Sequence, residues 1–222
     1  MSEQATIGAA LQAGGGSSPA AALAQVEGDE RERAAGEQER EEGLDPEARA
    51  RRERALAAIR KLGDPVLRTR ALPVERFDRA LRAEARRMGE IMADALGVGL
   101  AATQVGILHR LFVYRVDPDE EVQALVNPVI VAASEERESG EEGCLSIPYV
   151  HVAVERHRQV TVRAQDLKGR ELELEAEGLQ ARVIQHELDH LDGVLILDRI
   201  SQEARREAMR LMREARAAAA RR

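Results

Sequence analysis

Aromatic side chains are almost missing from this chain. Its 222 residues include two phenylalanines, two tyrosines and no tryptophan, the four being Phe77, Phe112, Tyr114 and Tyr149. A core with so few rings has to be built from Leu, Ile, Val, Met and Ala. Cysteine is scarcer still: Cys144 stands alone, which excludes an internal disulfide and fits a reducing compartment. No apolar run comes near the roughly 20 residues that span a bilayer. The N-terminus lacks the basic region and apolar stretch of a secretory signal. Basic residues are outnumbered, 33 against 40 acidic, giving a formal net charge of −7. That balance argues against general nucleic-acid binding and against DNA as a partner. Together these absences describe a soluble cytoplasmic protein with no membrane partner.

What is present is unevenly spread. Residues 1–50 carry 11 acidic and 4 basic residues and include "GGGSSPAAALA" and "EQEREEG". So little apolar surface cannot offset the entropy of ordering, and the segment reads as a disordered acidic extension. Asp45-Pro46 offers a helix cap, with a helix running toward Gly63. From about Arg76, Phe77, Leu81, Met88, Ile91, Met92 and Leu96 recur at helical spacing up to Gly97. "RLFVYRV" and "QALVNPVIV" read as strands joined by "DPDEE". "QVTVRAQDLKGRELELEAEG" reads as two strands around a turn at Lys168-Gly169. Helical period returns from Leu179 to Leu191, and "SQEARREAMRLMREARAAAARR" forms a last helix. Helices and antiparallel strands alternate without a repeated strand-helix-strand unit. This predicts an α+β fold, with antiparallel strands packed around the helix of residues 179–191 and a helix at the C-terminus. The expected divisions are 1–50, a catalytic domain at 51–200 and a basic amphipathic helix at 201–222.

The chemistry concentrates in "QHELDHLDG", Gln185 to Gly193. His186 and His190 are four residues apart on a predicted helix, so both rings can face one point and hold a divalent transition metal. Glu187 stands beside that face, where it can take a proton from an attacking water and deliver it to a leaving group. Two histidines leave the ligand set incomplete. The zinc-protease pattern H-E-x-x-H-x-x-G-x-x-H is matched up to Gly193, but its last position holds Ile196, which cannot ligate. Glu203 and Glu207 are downstream acids on a strongly basic helix, where solvated charges are expected. Upstream, "EEGCLSIP" places the thiol of Cys144 at a turn entering or leaving a strand. One thiolate and two imidazoles would leave a fourth position open, the layout of a catalytic metal. In "GVGLAATQVG", Gly97 to Gly106, the glycines allow a substrate backbone to approach closely. The amide of Gln104 can donate to a developing oxyanion. A zinc endopeptidase and a non-catalytic, metal-stabilised interaction protein are the competing readings. Ile196 speaks against the first and Glu187 against the second.

Taken in order, "GVGLAATQ", "EGCLS" and "QHELDHLDG" resemble the peptide deformylase family, marked by G-φ-G-φ-A-A-x-Q, E-G-C-L-S and Q-H-E-x-D-H-L-x-G with φ apolar. "IRKLGDPVLRTRALPV" is similar to the start of such enzymes, and the resemblance covers roughly Ile59 to Ile200. It implies a metallohydrolase that removes the formyl group from the N-terminal formyl-methionine of nascent polypeptides, releasing formate. The metal it implies is one divalent ion, Fe(II), with zinc, nickel or cobalt able to substitute. Carried over residue by residue, Cys144, His186 and His190 become the ligands and Glu187 the general acid/base. Gln104 and the backbone N–H of Leu145 become the oxyanion hole, with Gly99 against the bound substrate. Val98, Leu179, Val183 and the stem of Arg182 are expected to line a slot for the methionine side chain. Asp189 is expected to orient the site through Arg156. Tyr149, where the family often has Gly or Glu, reads equally as a cleft rim or a core cover. His109, His151 and His157 read as lying outside the ligand set. From Arg199 to Arg222 there are 8 arginines and 3 glutamates. The main reading of this stretch is a helix packed through Ala208, Leu211 and Met212. The functional reading is an electrostatic contact with ribosomal RNA.

Overall fold

The computed structural model describes residues 43–219, and one compact unit begins at Leu44. The expected disorder of the acidic extension falls, up to residue 42, outside the described residues. Residues 46–50, grouped with that extension from the sequence, are helical. Asp45 caps helix α1 (Pro46–Ala58) by accepting from the Ala48 N–H at 2.8 Å, with Pro46 in the first turn. The helix stops at Ala58, short of the expected Gly63, because the chain turns extended at Ile59. The next backbone N–H groups bond outside the helix, Arg60 N–H to Gln104 O at 2.7 Å and Leu62 N–H to Ser146 O at 2.9 Å. Long-range partners outweigh local helix propensity here. Helix α2 (Arg79–Asp94) starts under Asp78, whose carboxylate accepts from Ala80 and Leu81. It buries Leu81, Ala85, Met88 and Met92 along one face.

Seven strands follow: β1 (Gly99–Ala101), β2 (Leu111–Tyr114), β3 (Gln123–Ala133), β4 (Arg137–Cys144), β5 (Ile147–His157), β6 (Gln159–Gln165) and β7 (Glu171–Glu177). All pairings between named strands are antiparallel. Five strands make one sheet in the order β1-β2-β3-β6-β7, and β4 with β5 makes a separate hairpin. Helix α3 (Gly178–Leu191) carries the two histidines, and helix α4 (Gln202–Ala219) follows. This is an α+β fold.

Three apolar clusters hold these pieces. Strand β2 is buried along its whole length because both faces are covered. Phe112 and Tyr114 pack with Leu125, Val160 and Val162 against Ala181, Ile184, Leu188 and Leu191 of α3. Leu111 and Val113 pack with Leu100 and Val126 against Leu81, Met88 and Met92 of α2. The third cluster joins Ile147, Val150, Val152 and Val154 of β5 to Leu195, Ile196 and Leu197 and to Ala208 and Met212 of α4. Ile196 thus occupies the core. Among the described residues no helix is long and apolar enough to cross a membrane.

Candidate active site and metal centre

Helix α3 and the β4–β5 hairpin bring the candidate ligands together. Cys144 ends β4, and a two-residue turn, Leu145-Ser146, leads to its partner Ile147. The sulfur lies 3.2 Å from His190 Nε2. Cys144 Sγ and ring nitrogens of His186 and His190 all fall within 4.8 Å of one another, and all three residues are buried. The two rings meet edge to face with centroids 4.9 Å apart, as the i, i+4 spacing on one helical face requires.

Two glutamates flank this group. Glu142 lies beneath His186 and accepts from its Nδ1 at 3.0 Å, leaving Nε2 to face the sulfur. The same carboxylate accepts from Arg156 Nε at 2.8 Å, Arg156 Nη2 at 2.9 Å and Arg182 Nη1 at 3.0 Å. Arg156 also donates to Asp189 at 2.6 Å, and Asp189 accepts from Arg199 Nε at 2.9 Å. The expected link from Asp189 through Arg156 is therefore present, and it continues through Glu142 to His186. Glu187 is buried on the other side, and its Oε2 has no hydrogen-bond partner. Burial would raise the Glu142 carboxyl, but the hydrogen bonds of Arg156 and His186 override it and hold it down at about 2. Burial drives Glu187 up to about 7, the two imidazoles opposing only part of the rise. At Cys144 burial opposes ionisation, yet the charge and hydrogen bonds of His190 and His186 hold the thiol well below its ordinary range. The His186 ring is raised well above its ordinary value: burial pulls it down, and hydrogen bonds to Cys144 and Glu142 prevail.

Gln104 is fixed from both ends of its amide. Its Oε1 accepts from the Ala101 N–H at 2.8 Å, and its Nε2 points to Ser146 Oγ at 3.3 Å and Cys144 Sγ at 3.8 Å. The neighbouring Leu145 N–H has no acceptor among the described residues. The glycines before Gln104 do something the sequence did not show. A Cβ on Gly97 would stand 2.9 Å from Leu145 Cδ1, and one on Gly99 would stand 2.8 Å from Glu187 Cδ. Their missing side chains make room for protein groups, and Gly99 lies against Glu187.

The remaining residues are placed as follows. Val98 and Leu179 are exposed, whereas Val183 is buried with the first core cluster. The Arg182 guanidinium is turned onto the hairpin, donating to the carbonyls of Gly140, Val154 and Glu138. A strut of this kind was not evident from the sequence, since its partners lie 28 to 44 residues away. Tyr149 is exposed rather than covering the core. His109 binds Glu84 at 2.9 Å and His157 the Ser134 carbonyl at 2.6 Å. Glu207 pairs with Arg210. Glu142 and Ser146 touch these groups and were not singled out from the sequence. For Glu142 the signal was available in "EEGC", two residues before Cys144.

The donor set fits a divalent transition metal: one readily ionised sulfur and two imidazoles, one with its other nitrogen already fixed by a carboxylate. A carboxyl with an unpartnered oxygen on one side and two N–H donors on the other suit attack of water on a carbonyl. That combination belongs to the metal-dependent hydrolases. The polypeptide deformylase family matches residues 56–206. A peptide deformylase of Thermotoga neapolitana is 52% identical over 147 residues, 66% of this chain and 88% of that protein. One from Treponema pallidum is 50% identical, covering 68% and 93%. The crystal structure of a Legionella pneumophila peptide deformylase is similar at a TM-score of 0.70 and 41% identity, covering 74% of this chain and 97% of that one. A Synechococcus elongatus peptide deformylase, solved with actinonin, matches at 0.66 and 44%, covering 68% and 85%. The chain belongs to the polypeptide deformylase family and is an enzyme with that family's activity.

Proposed function

We propose that Cys144, His186 and His190 hold one divalent metal ion, Fe(II) in the cell, and that Glu187 is the general acid/base of deformylation. The substrate is the N-terminal formyl-methionine of nascent polypeptides, and the products are formate and the free amine. Zinc, nickel and cobalt suit the same three donors. When bound, the metal supplies Lewis acidity to the attacking water and the formyl oxygen. The chain's own groups carry the rest. Glu187 accepts a proton as water adds to the formyl carbon and returns it to the amine nitrogen as the C–N bond breaks. A carboxyl titrating at about 7 is matched to both directions of that transfer. Gln104 Nε2 and the Leu145 N–H donate to the oxygen on which negative charge develops. Glu142 fixes the His186 ring, and Arg156 and Asp189 fix Glu142.

The buried Glu187 carboxylate, with one oxygen unpartnered beside the ligand cluster, is the observation that carries this reading. A purely structural metal site needs no such group. The α3 helix that bears it is the centre of the catalytic unit, whose expected start at residue 51 moves back to include all of α1. Val98 and Leu179 form the open part of the methionine slot over the buried Val183, with Gly99 on the side of the reacting bond. The enzyme works in the cytoplasm, where formylated chains emerge. A separate observation favours a contact with the ribosome. Helix α4 packs inward through Ala208 and Met212 and leaves Arg205, Arg206 and Arg213 exposed, suited to phosphate. Truncation after Ile200 should abolish co-sedimentation with ribosomes, and unchanged binding would refute that contact. For the activity itself, the iron-loaded chain should release formate from formyl-Met-Ala-Ser, and absence of formate with metal bound would refute the assignment.

A further inference from the structure

The short segment Arg60–Leu62, just after α1, touches both halves of the oxyanion pocket. Arg60 N–H bonds the backbone carbonyl of Gln104 at 2.7 Å, and Leu62 N–H bonds the carbonyl of Ser146 at 2.9 Å. Between them the half-buried Lys61 sends its ammonium to the carbonyl of Leu145 at 2.9 Å. None of the three motifs that mark the active site contains this residue.

The two backbone bonds already fasten the segment, so the Lys61 bond does something different. Leu145 and Ser146 are the two residues of the tight turn between Cys144 and Ile147. Their carbonyls accept from Lys61 and Leu62, while the Leu145 N–H has no acceptor among the described residues. Pinning the carbonyl of Leu145 restricts rotation about that residue and so the direction of its N–H. An ammonium does this with a full positive charge in a partly desolvated place, where a charge-assisted bond is stronger than a neutral one. Burial pulls the amine's pKa down, with the negative charge at Cys144 opposing it. The positive charge of the ammonium adds to the field that favours an oxyanion at this corner.

We propose that Lys61 is a positioning residue for deformylation, fixing the Leu145–Ser146 peptide and so limiting the Leu145 torsions that aim the Leu145 N–H at the developing oxyanion. The inference rests on the oxyanion role assigned above to Leu145. It is tested with the full-length, metal-loaded chain and formyl-Met-Ala-Ser, comparing wild type with Lys61→Met, which keeps the apolar stem, and Lys61→Arg, which keeps the charge and a donor. Lys61→Met should lower kcat about tenfold and leave KM within about twofold, since the N–H donates most strongly in the transition state. Its metal content should equal that of wild type, and Lys61→Arg should recover most of the loss. A kcat for Lys61→Met within about twofold of wild type would overturn the inference. So would an equal loss in Lys61→Arg, or a loss of metal from Lys61→Met. Each of those outcomes leaves deformylation standing. A wild-type chain that releases no formate would instead sink the deformylase reading and take this inference with it.

Discussion

Two buried glutamates stand beside the Cys144, His186 and His190 cluster, and their surroundings could hardly differ more. On the hairpin side Glu142 is clasped by Arg156, Arg182 and His186, and its carboxyl is held down at about 2. On the β1 side Glu187 faces Gly99 and the ligand cluster, leaves one oxygen unpartnered, and is driven up to about 7. The same side chain at similar burial is thus held as an anion in one place and pushed toward its protonated form in the other. Partners, not burial alone, decide which. Exposed pairs on α4, such as Arg210 with Glu207 and Glu214, provide the contrast: the same groups in water.

The comparison is broken most forcefully at Arg156. Arg156→Met leaves Glu142 and Asp189 buried without their shared cation, which should cost about 3 kcal/mol or more in chemical denaturation. Because His186 loses its fixed support, metal affinity measured by chelator competition should fall by roughly 10- to 100-fold. A variant as stable as wild type would mean that Arg182 and Arg199 suffice. Gly99→Ala attacks the other side. Its new Cβ would displace the Glu187 carboxylate, so kcat should fall by about 100-fold with metal retained.

Helix α3 and its histidine pair were legible because a 3.6-residue period and an i, i+4 pair are local facts. So was the β6–β7 hairpin, from its alternation around Lys168-Gly169. Strand β4 was not: "RESGEEGC" has charges and glycines where a strand usually shows branched apolar residues. The glycines admit the Arg182 guanidinium at Gly140 and the His151 ring at Gly143. The early end of α1 was hidden for a related reason, since Gln104 and Ser146 lie far along the chain from Arg60 and Leu62. That Cys144, His186, His190 and Gln104 come together was expected through the resemblance, and they do lie together. The supports of that set, Glu142, Arg182 and Lys61, are defined by tertiary contacts.

Smaller effects sharpen the contrast through pH. Glu142 has a folded value of about 2, below the roughly 4.3 of a free glutamate. Its stabilisation is therefore complete above about 4.3 and is lost as pH falls toward about 2. Glu187 has the opposite sign. With a folded value of about 7, it lowers the stability of the metal-free chain as pH rises from about 4.3 through about 7. Denaturation of the metal-free protein across pH should show both limbs. Glu187→Gln should remove the Glu187 part of the upper limb, leaving what Cys144 and His186 contribute, and should leave the lower limb. The smallest effect belongs to the solvated pairs: Arg210→Ala should leave the denaturation midpoint close to that of wild type, and a clear loss would show α4 to be more dependent on its surface than the contrast allows.

The account turns on Glu187 as the group that moves the proton. Formate release and bound metal should be measured side by side for wild type and Glu187→Gln. The variant should keep a full equivalent of metal while kcat falls by roughly 100- to 10,000-fold. Turnover near the wild-type rate in the metal-loaded variant would contradict the account.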